Sequence, residues 1–242
     1  VVRGQADYGA LAPKETAGSV SDMGEIAARL GSIVTYDKRG DVVDFDNFEE
    51  PLIGWSASTT GTGGYIRLSS ENFKSGCQSI CLFTGTPASK YAYIFGGDAT
   101  LGVLRLGIEI SFSQLTEMAT FTLSLQQYTG TTFSTGAIMI DGELHKIYLY
   151  TLGGVWTEIA DIATLISNKF IFNTLKLVVD FSALKYVRAL LNSIEFDLSA
   201  HDLESYPNTY EAHTQFEAGL MSKDVLGASV YLDDCVLTQA EP

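Results

Sequence analysis

Positive charge is what this chain has least of. Its 242 residues carry 15 Lys and Arg against 29 Asp and Glu, a formal balance of −14. Such a surface repels phosphates and lacks the basic footprint of a nucleic-acid binder, so no nucleic-acid partner is expected. Proline is scarce as well, at 5, and with 23 glycines the composition is neither collagen-like nor that of a linker. Cysteine is limited to Cys77, Cys81 and Cys235, an odd count that closes no disulfide framework. Read as members of one strand, Cys77 and Cys81 would stand about 13 Å apart, so a bond between them would need a bulge or turn. Small buried apolar side chains are the plainer reading. No apolar run reaches the length of a membrane span, and nothing resembles a signal peptide, so no membrane insertion is expected. The chain begins without Met, so the missing signal fixes no location.

Catalytic fingerprints are missing too. HExxH, GxSxG, P-loop and dinucleotide patterns are absent, and His145, His201 and His213 are scattered. Carboxylates are plentiful, but glycoside hydrolysis needs two of them roughly 5–9 Å apart in one cleft. Glu109, on what reads as a central strand, is the one carboxylate to inspect, and Arg105 lies close enough in sequence to neutralise it. The expectation is that the protein is not an enzyme.

What is present is strand material. Hydrophobic residues make up 46% and charged residues only 18%, enough for a sizeable core and too little charge for disorder. Phe (13) and Tyr (12) favour strands. Residues 1–40 read as an arm. Ser21 or Asp22 caps a helix over about 22–30, with Met23, Ile26, Ala27 and Leu30 on one stripe and Gly31 as its stop. So short a helix is not stable alone. It must dock on its own domain or on a neighbouring copy.

From residue 41 to 242 the texture is that of short strands. Leu104, Leu106, Ile108 and Ile110 share a face, as do Phe121, Leu123 and Leu125. Ala137–Ile140 and Leu144–Tyr150 flank Asp141-Gly142, a hairpin signal. Leu175–Leu198 reads as a three-strand meander with turns at Ser182-Ala183 and Asn192-Ser193. Residues 161–167 read as a helical turn or loop, and 201–211, polar and carrying Pro207, as a loop. About a dozen strands without a βαβ rhythm predict an all-β fold, a two-sheet antiparallel jelly-roll sandwich. A first strand at Asp46–Glu49 and a last one at Tyr231–Asp234 are expected to seal it.

Two sets of side chains stand out as candidate sites. Asp44 and Asp46 share a face of the opening strand, and Glu49 lies opposite unless the strand ends or bulges before it. Asp233 and Asp234 lie near the other end of the chain. Pairing of the terminal strands would crowd these carboxylates, a charge that a hard cation relieves. The second set is aromatic: Trp55, Tyr65, Tyr91, Tyr93, Tyr128, Tyr148, Tyr150 and Trp156. Tyr91 and Tyr93 share a face, as do Tyr148 and Tyr150, and Trp156 follows the turn at Gly153-Gly154. Most such rings line cores or rims; exposed ones beside polar partners bind sugars.

The stretches VDFDNFEEPLIGW (43–55), LSSENFKSGCQSICL (68–82) and SVYLDDCVLT (229–238) resemble, in order and placement, the calcium-containing jelly-roll carbohydrate-binding modules and related concanavalin-like sandwiches. The meander at 175–198 is similar to that of laminin-G-like sandwiches. The resemblance implies a structural calcium held by Glu49, Glu71 and Asp234, with Asp46 and Asp233 as substitutes. It also implies glycan binding through Trp156, Tyr91, Tyr93, Tyr148 and Tyr150. The ExDxxE pattern of concanavalin-like glucanases is absent. The arm has no counterpart in those modules and looks more like part of a phage or viral coat, decoration or tail component. The leading expectation is therefore a non-catalytic structural protein on a virion or extracellular surface, joined to other copies or neighbouring subunits through residues 1–40. A glycan-binding module with a structural calcium is the alternative, and a glycoside-active enzyme ranks third.

Overall fold

The structure, a computed structural model, describes residues 37, 39–50, 52, 54–98, 102–113, 119–162 and 171–242. The expected helix at 22–30 and residues 163–167 lie outside the described residues. Among the described residues, sixteen strands form two antiparallel sheets.

Sheet A runs β13 (Ile194–Asp197), β12 (Lys185–Leu191), β11 (Phe172–Asp180), β6 (Arg105–Ser113), β16 (Ser229–Gln239), β4 (Ser79–Phe83), β3 (Tyr65–Ser69). β1 (Asp41–Asp46) also pairs with β16. β4 takes Ser229–Leu232 of β16 and β1 takes Cys235–Gln239, end to end along one edge. Sheet B runs β10 (Val155–Asp161), β9 (Lys146–Thr151), β8 (Thr132–Asp141), β7 (Ala119–Tyr128), β15 (His213–Ser222), β5 (Tyr91–Asp98), β2 (Trp55–Thr59). β14 (Glu204–Pro207) pairs with the first half of β8.

Period-two alternation sends one side of each strand into the space between the sheets. Ile108 and Ile110 of β6 and Leu175 and Leu177 of β11 face Phe121, Leu123, Ile138 and Ile140 of sheet B, all of them buried. Phe112 and Phe121 stack across the sheets at 4.8 Å. Each such side chain contributes about 1.5–3 kcal/mol on burial. The sandwich therefore follows from the alternation visible in the chain.

Three readings are corrected. The opening strand stops at Asp46, because Asp46 Oδ1 accepts the Phe48 N–H (2.7 Å) and Phe48 turns to φ +54°. Cys77 is exposed and precedes β4, so Cys77 and Cys81 do not share a strand; all three cysteines are free thiols. The polar stretch 201–211 contains β14, a four-residue edge strand that ends at Pro207, where an edge tolerates the missing N–H.

β8 changes partner from β14 to β9 at Gly136–Ala137. Tyr186 of β12 reaches through the core to this fork. Its hydroxyl accepts from Ala137 N–H (2.8 Å) and lies 2.6 Å from the Tyr150 carbonyl oxygen. Gly136 leaves it room: a Cβ there would meet Val179 at 2.5 Å.

Part of the outer face of sheet A is closed by Asp37, Arg39, Glu241 and Pro242. Lys176 is only 1% exposed. Its ammonium meets Glu241 Oε1 (2.7 Å), Asp37 Oδ2 (3.1 Å) and the Arg39 carbonyl (3.2 Å). Arg188 donates to Glu241 and to the Pro242 carbonyl (2.6 Å). Two buried cations are thus matched by two carboxylates. Glu109, beside them, forms no ion pair with a described residue and accepts from the Asp37 N–H (3.2 Å); burial outweighs the pull of Lys176 and pushes its carboxyl up to about 8. Arg105 does not neutralise it; it pairs with Asp180 at 2.9 Å. Of residues 1–40, the described Asp37 and Arg39 are tied to the chain's own sandwich, Arg39 also by Glu195 at 2.7 Å.

Candidate functional site

The five acids assigned to calcium do not gather at one point. Glu71 is exposed, 3.5 Å from Arg67, and accepts from the Tyr231 hydroxyl (2.8 Å). Asp46 holds Phe48 N–H and Trp55 Nε1 (2.7 Å). The other three close on the segment Lys74–Gln78. Glu49 Oε1 accepts from the N–H groups of Cys77 (2.8 Å) and Gln78 (3.1 Å), and its Oε2 from the Cys77 thiol (2.9 Å). Asp233 Oδ2 accepts from Lys74 and Ser75 N–H (2.7 and 3.0 Å). Asp234 Oδ1 accepts from Ser75 Oγ (2.8 Å), while Lys74 Nζ stands 3.3 Å from Oδ2. Gly76 is required at the centre, with φ +64° and Glu49 Oε1 only 2.0 Å from where a Cβ would lie. The terminal strands do meet across this segment, but their carboxylates grip amides and an ammonium.

That donor set does not fit a calcium ion, which needs six to eight oxygens free to converge. Among the described residues no group of three or more His, Cys, Asp or Glu is placed to hold a metal. Asp233 and Asp234 are both fully buried, and desolvation and the neighbouring Asp234 raise the Asp233 carboxyl to about 7. The Lys74 ammonium stands against this pair.

The aromatic candidates do gather. In the register of sheet B, Tyr91, Tyr93, Tyr148, Tyr150 and Trp156 all point away from the core, on one outer face. Tyr91, Tyr93 and Trp156 line a groove of about 260 Å³ with Thr120, Thr122, Met139, Glu217, Gly219 and Met221. Tyr148 lies opposite Met139, and Tyr150 props the Trp156 ring at 5.2 Å. The turn before Trp156 is fixed from another strand: Glu204 Oε2 of β14 accepts from Gly153 and Gly154 N–H (2.6 and 3.1 Å). Tyr186 fixes the neighbouring carbonyl of Tyr150. Two of the other aromatics go elsewhere. Trp55 packs between Phe48 and Phe216 at the core, and Tyr65 lies on sheet A against Phe83.

β15 supplies the floor, and the sequence reading missed it. His213–Ser222 alternates strictly, so Gln215, Glu217, Gly219 and Met221 share the outer face. That pattern was readable; that it met Tyr91 and Tyr93 on β5 was not. Gly219 deepens the groove, since a Cβ there would press on Tyr93 at 3.3 Å. Other acids on this face have partners: Asp141 has Lys223 (2.7 Å) and Glu158 has Lys146 (2.7 Å). Glu217 has no hydrogen bond or ion pair with a described residue, and partial burial raises its carboxyl above the ordinary range. The groove therefore brings together aromatic side chains, hydroxyls and one carboxyl group.

No protein-family model and no curated protein sequence matches the chain. Solved structures do match in fold. A Bacillus subtilis protein of unknown function with a galectin-like fold shares 12% identity at TM-score 0.55, over 84% of this chain and 98% of that one. A β-glucanase of Bacillus licheniformis shares 11% at TM-score 0.50, over 81% and 97%. A sialidase shares 6% at TM-score 0.53, over 84% of this chain but only 19% of that chain. At these identities the likeness establishes the fold, a two-sheet antiparallel β-sandwich, and nothing finer.

Proposed function

We propose that this protein binds a glycan on the outer face of sheet B and performs no chemistry on it. The observation that carries the reading is the groove itself. Tyr91, Tyr93 and Trp156 line it together with Thr120, Thr122 and Glu217, which has no hydrogen bond or ion pair with a described residue. A sugar ring is apolar on its C–H faces and polar at its hydroxyl rim, and this lining matches both. Two of the sandwiches alike in fold are named for acting on carbohydrate, a β-glucanase and a sialidase. Hydrolysis by the two-carboxylate route common among glycosidases would need a second carboxylate. Among the described acids lining the groove, Glu217 stands alone.

The assembly role rested on the arm, and residues 1–36 lie outside the described residues. The described part, Asp37 and Arg39, binds its own sandwich. The glycan reading has a built groove behind it and is preferred. Electrophoresis of the native protein through gels containing a neutral polysaccharide tests it. Retardation is expected, and Trp156→Ala should abolish it while the circular dichroism spectrum stays that of the native protein. A Trp156→Ala protein retarded as strongly as the parent would move the site away from this groove.

A further inference from the structure

A second group of rings lies at the opposite end of the same outer face. His213 (β15), Tyr128 (β7), Phe133 (β8) and Tyr206 (β14) form one cross-strand row. Tyr128 stacks on His213 at 4.2 Å, and Phe133 lies 4.9 Å from Tyr206. Tyr210 joins them, 5.9 Å from Tyr128. Tyr206 is 46% and Tyr210 66% exposed, so their faces are open to solvent. Both are held in place. β14 is paired to β8, and the loop after it is pinned by Asn208 N–H on the Thr131 carbonyl (2.9 Å) and Asn208 Oδ1 accepting from Tyr210 N–H (2.7 Å). A hollow of about 380 Å³ lies beside Tyr210.

Between this row and the groove runs a polar lane on β7 and β15. Ser124, Gln126, Gln215 and Glu217 line it. Gln215 donates to Gln126 Oε1 at 3.4 Å, and the Tyr128 hydroxyl donates to the same oxygen at 3.2 Å. From Thr122 in the groove to Tyr128 in the row is six residues along β7, or about 20 Å. Across those rows the described outward residues include no Lys or Arg. The chain as a whole carries −14.

We infer that Tyr206 and Tyr210 form a second stacking subsite, and that the ligand is an extended, uncharged glycan chain running along β7 and β15 from one ring cluster to the other. This rests on the glycan reading above. A single sugar fills one platform only. A chain of several units reaches both, with its hydroxyls over the amide and hydroxyl side chains of the lane. Carboxylated or sulfated chains meet Glu217 and a negative field, with no Lys or Arg among the described outward residues of these rows to compensate.

The test uses the full chain in native gels containing a mixed-linkage β-glucan, a xylan, a galactomannan or, as the acidic member, polygalacturonate. Titration calorimetry follows, with oligosaccharides of increasing length cut from the polysaccharide that retards the protein. Affinity is expected to climb until the oligosaccharide spans about 20 Å and then level off. Tyr210→Ala and Tyr206→Ala should weaken the long oligosaccharides about tenfold and leave the shortest unchanged. Trp156→Ala should weaken both. Equal affinity for short and long chains, indifference to both Tyr substitutions, or preferential retardation by polygalacturonate would overturn this inference and leave the glycan reading standing. No retardation by any of the four polysaccharides would overturn both.

Discussion

The two outer faces of the sandwich are built from the same kind of strand and come to opposite ends. On sheet A several outward positions are charged, and the chain itself closes over them. Lys176, Arg188, Asp37 and Glu241 satisfy one another, and Lys74–Gln78 is gripped by Glu49, Asp233 and Asp234. On sheet B the positions that line the groove and the lane are aromatic, small or neutral polar apart from Glu217, and no described segment covers the groove. Charges taken out of water must be paired inside the fold, whereas rings and hydroxyls can stay half wet at little cost. The first face is therefore committed to stability, and the second is free to recognise something else.

The largest effect should come from unbalancing the closed face. Lys176→Ala leaves Asp37 and Glu241 with one cation fewer in a buried setting. It should cost about 3–5 kcal/mol, read as a lowered urea midpoint. A loss under about 1 kcal/mol would mean that the cluster is effectively solvated and that the contrast between the faces is false. The converse is Trp156→Ala on the open face. It should weaken glycan binding at least about tenfold, roughly 1.4 kcal/mol, while moving the midpoint by much less than Lys176→Ala.

Acidity separates the faces again. Burial and the adjacent Asp234 raise Asp233 to about 7, and burial raises Glu109 to about 8. A raised carboxyl binds its proton more tightly when folded than unfolded. Its stabilisation is complete below the unfolded pKa, near 4, and is lost as pH rises through the folded value. The denaturation midpoint should thus fall between about pH 5 and pH 8. Glu109→Gln should flatten that slope, and a slope unchanged by Glu109→Gln would refute the assignment. Asp37 and Glu49 act in the other direction. Burial opposes their ionisation, but the Arg39 hydrogen bond and Lys176 for Asp37, and the Cys77 and Gln78 donors for Glu49, carry both below the ordinary range. Their contribution is lost only as pH falls below about 4.

Smaller effects sharpen the comparison. Gly219→Ala puts a methyl against Tyr93 in the groove and should reduce glycan affinity a few-fold, with a stability change within about 0.5 kcal/mol. Calcium added to chelator-treated protein should leave the melting temperature where it was, because Lys74 and backbone amides already engage the terminal carboxylates. A rise in melting temperature on adding calcium would show that the ion displaces them, since a ligand binding only the folded state stabilises it by mass action.

The sequence by itself determined the class of fold. Alternation in Leu104–Ile110, Phe121–Leu125 and Leu175–Val179 dictates strands with one apolar side, and two such sheets can only bury it against each other. It also placed Tyr91 with Tyr93 and Tyr148 with Tyr150, because period two is a local property. The acids of the terminal strands were legible as a convergence, and their actual partner was not. Whether Glu49 and Asp234 meet a cation or the amides of Lys74–Gln78 depends on how that segment folds back, some 25 residues from one and 160 from the other. β14 was hidden because a four-residue edge strand carries too little pattern and is made by its pairing with β8. Strand order, finally, was a tertiary decision. β15 lies between β5 and β7, which brings Glu217 and Gly219 beside Tyr93 and His213 beside Tyr128 at the far end of the lane, where the pairing of β14 with β8 adds Tyr206. Local sequence fixes which way a side chain points; only hydrogen bonding between distant strands fixes what stands next to it.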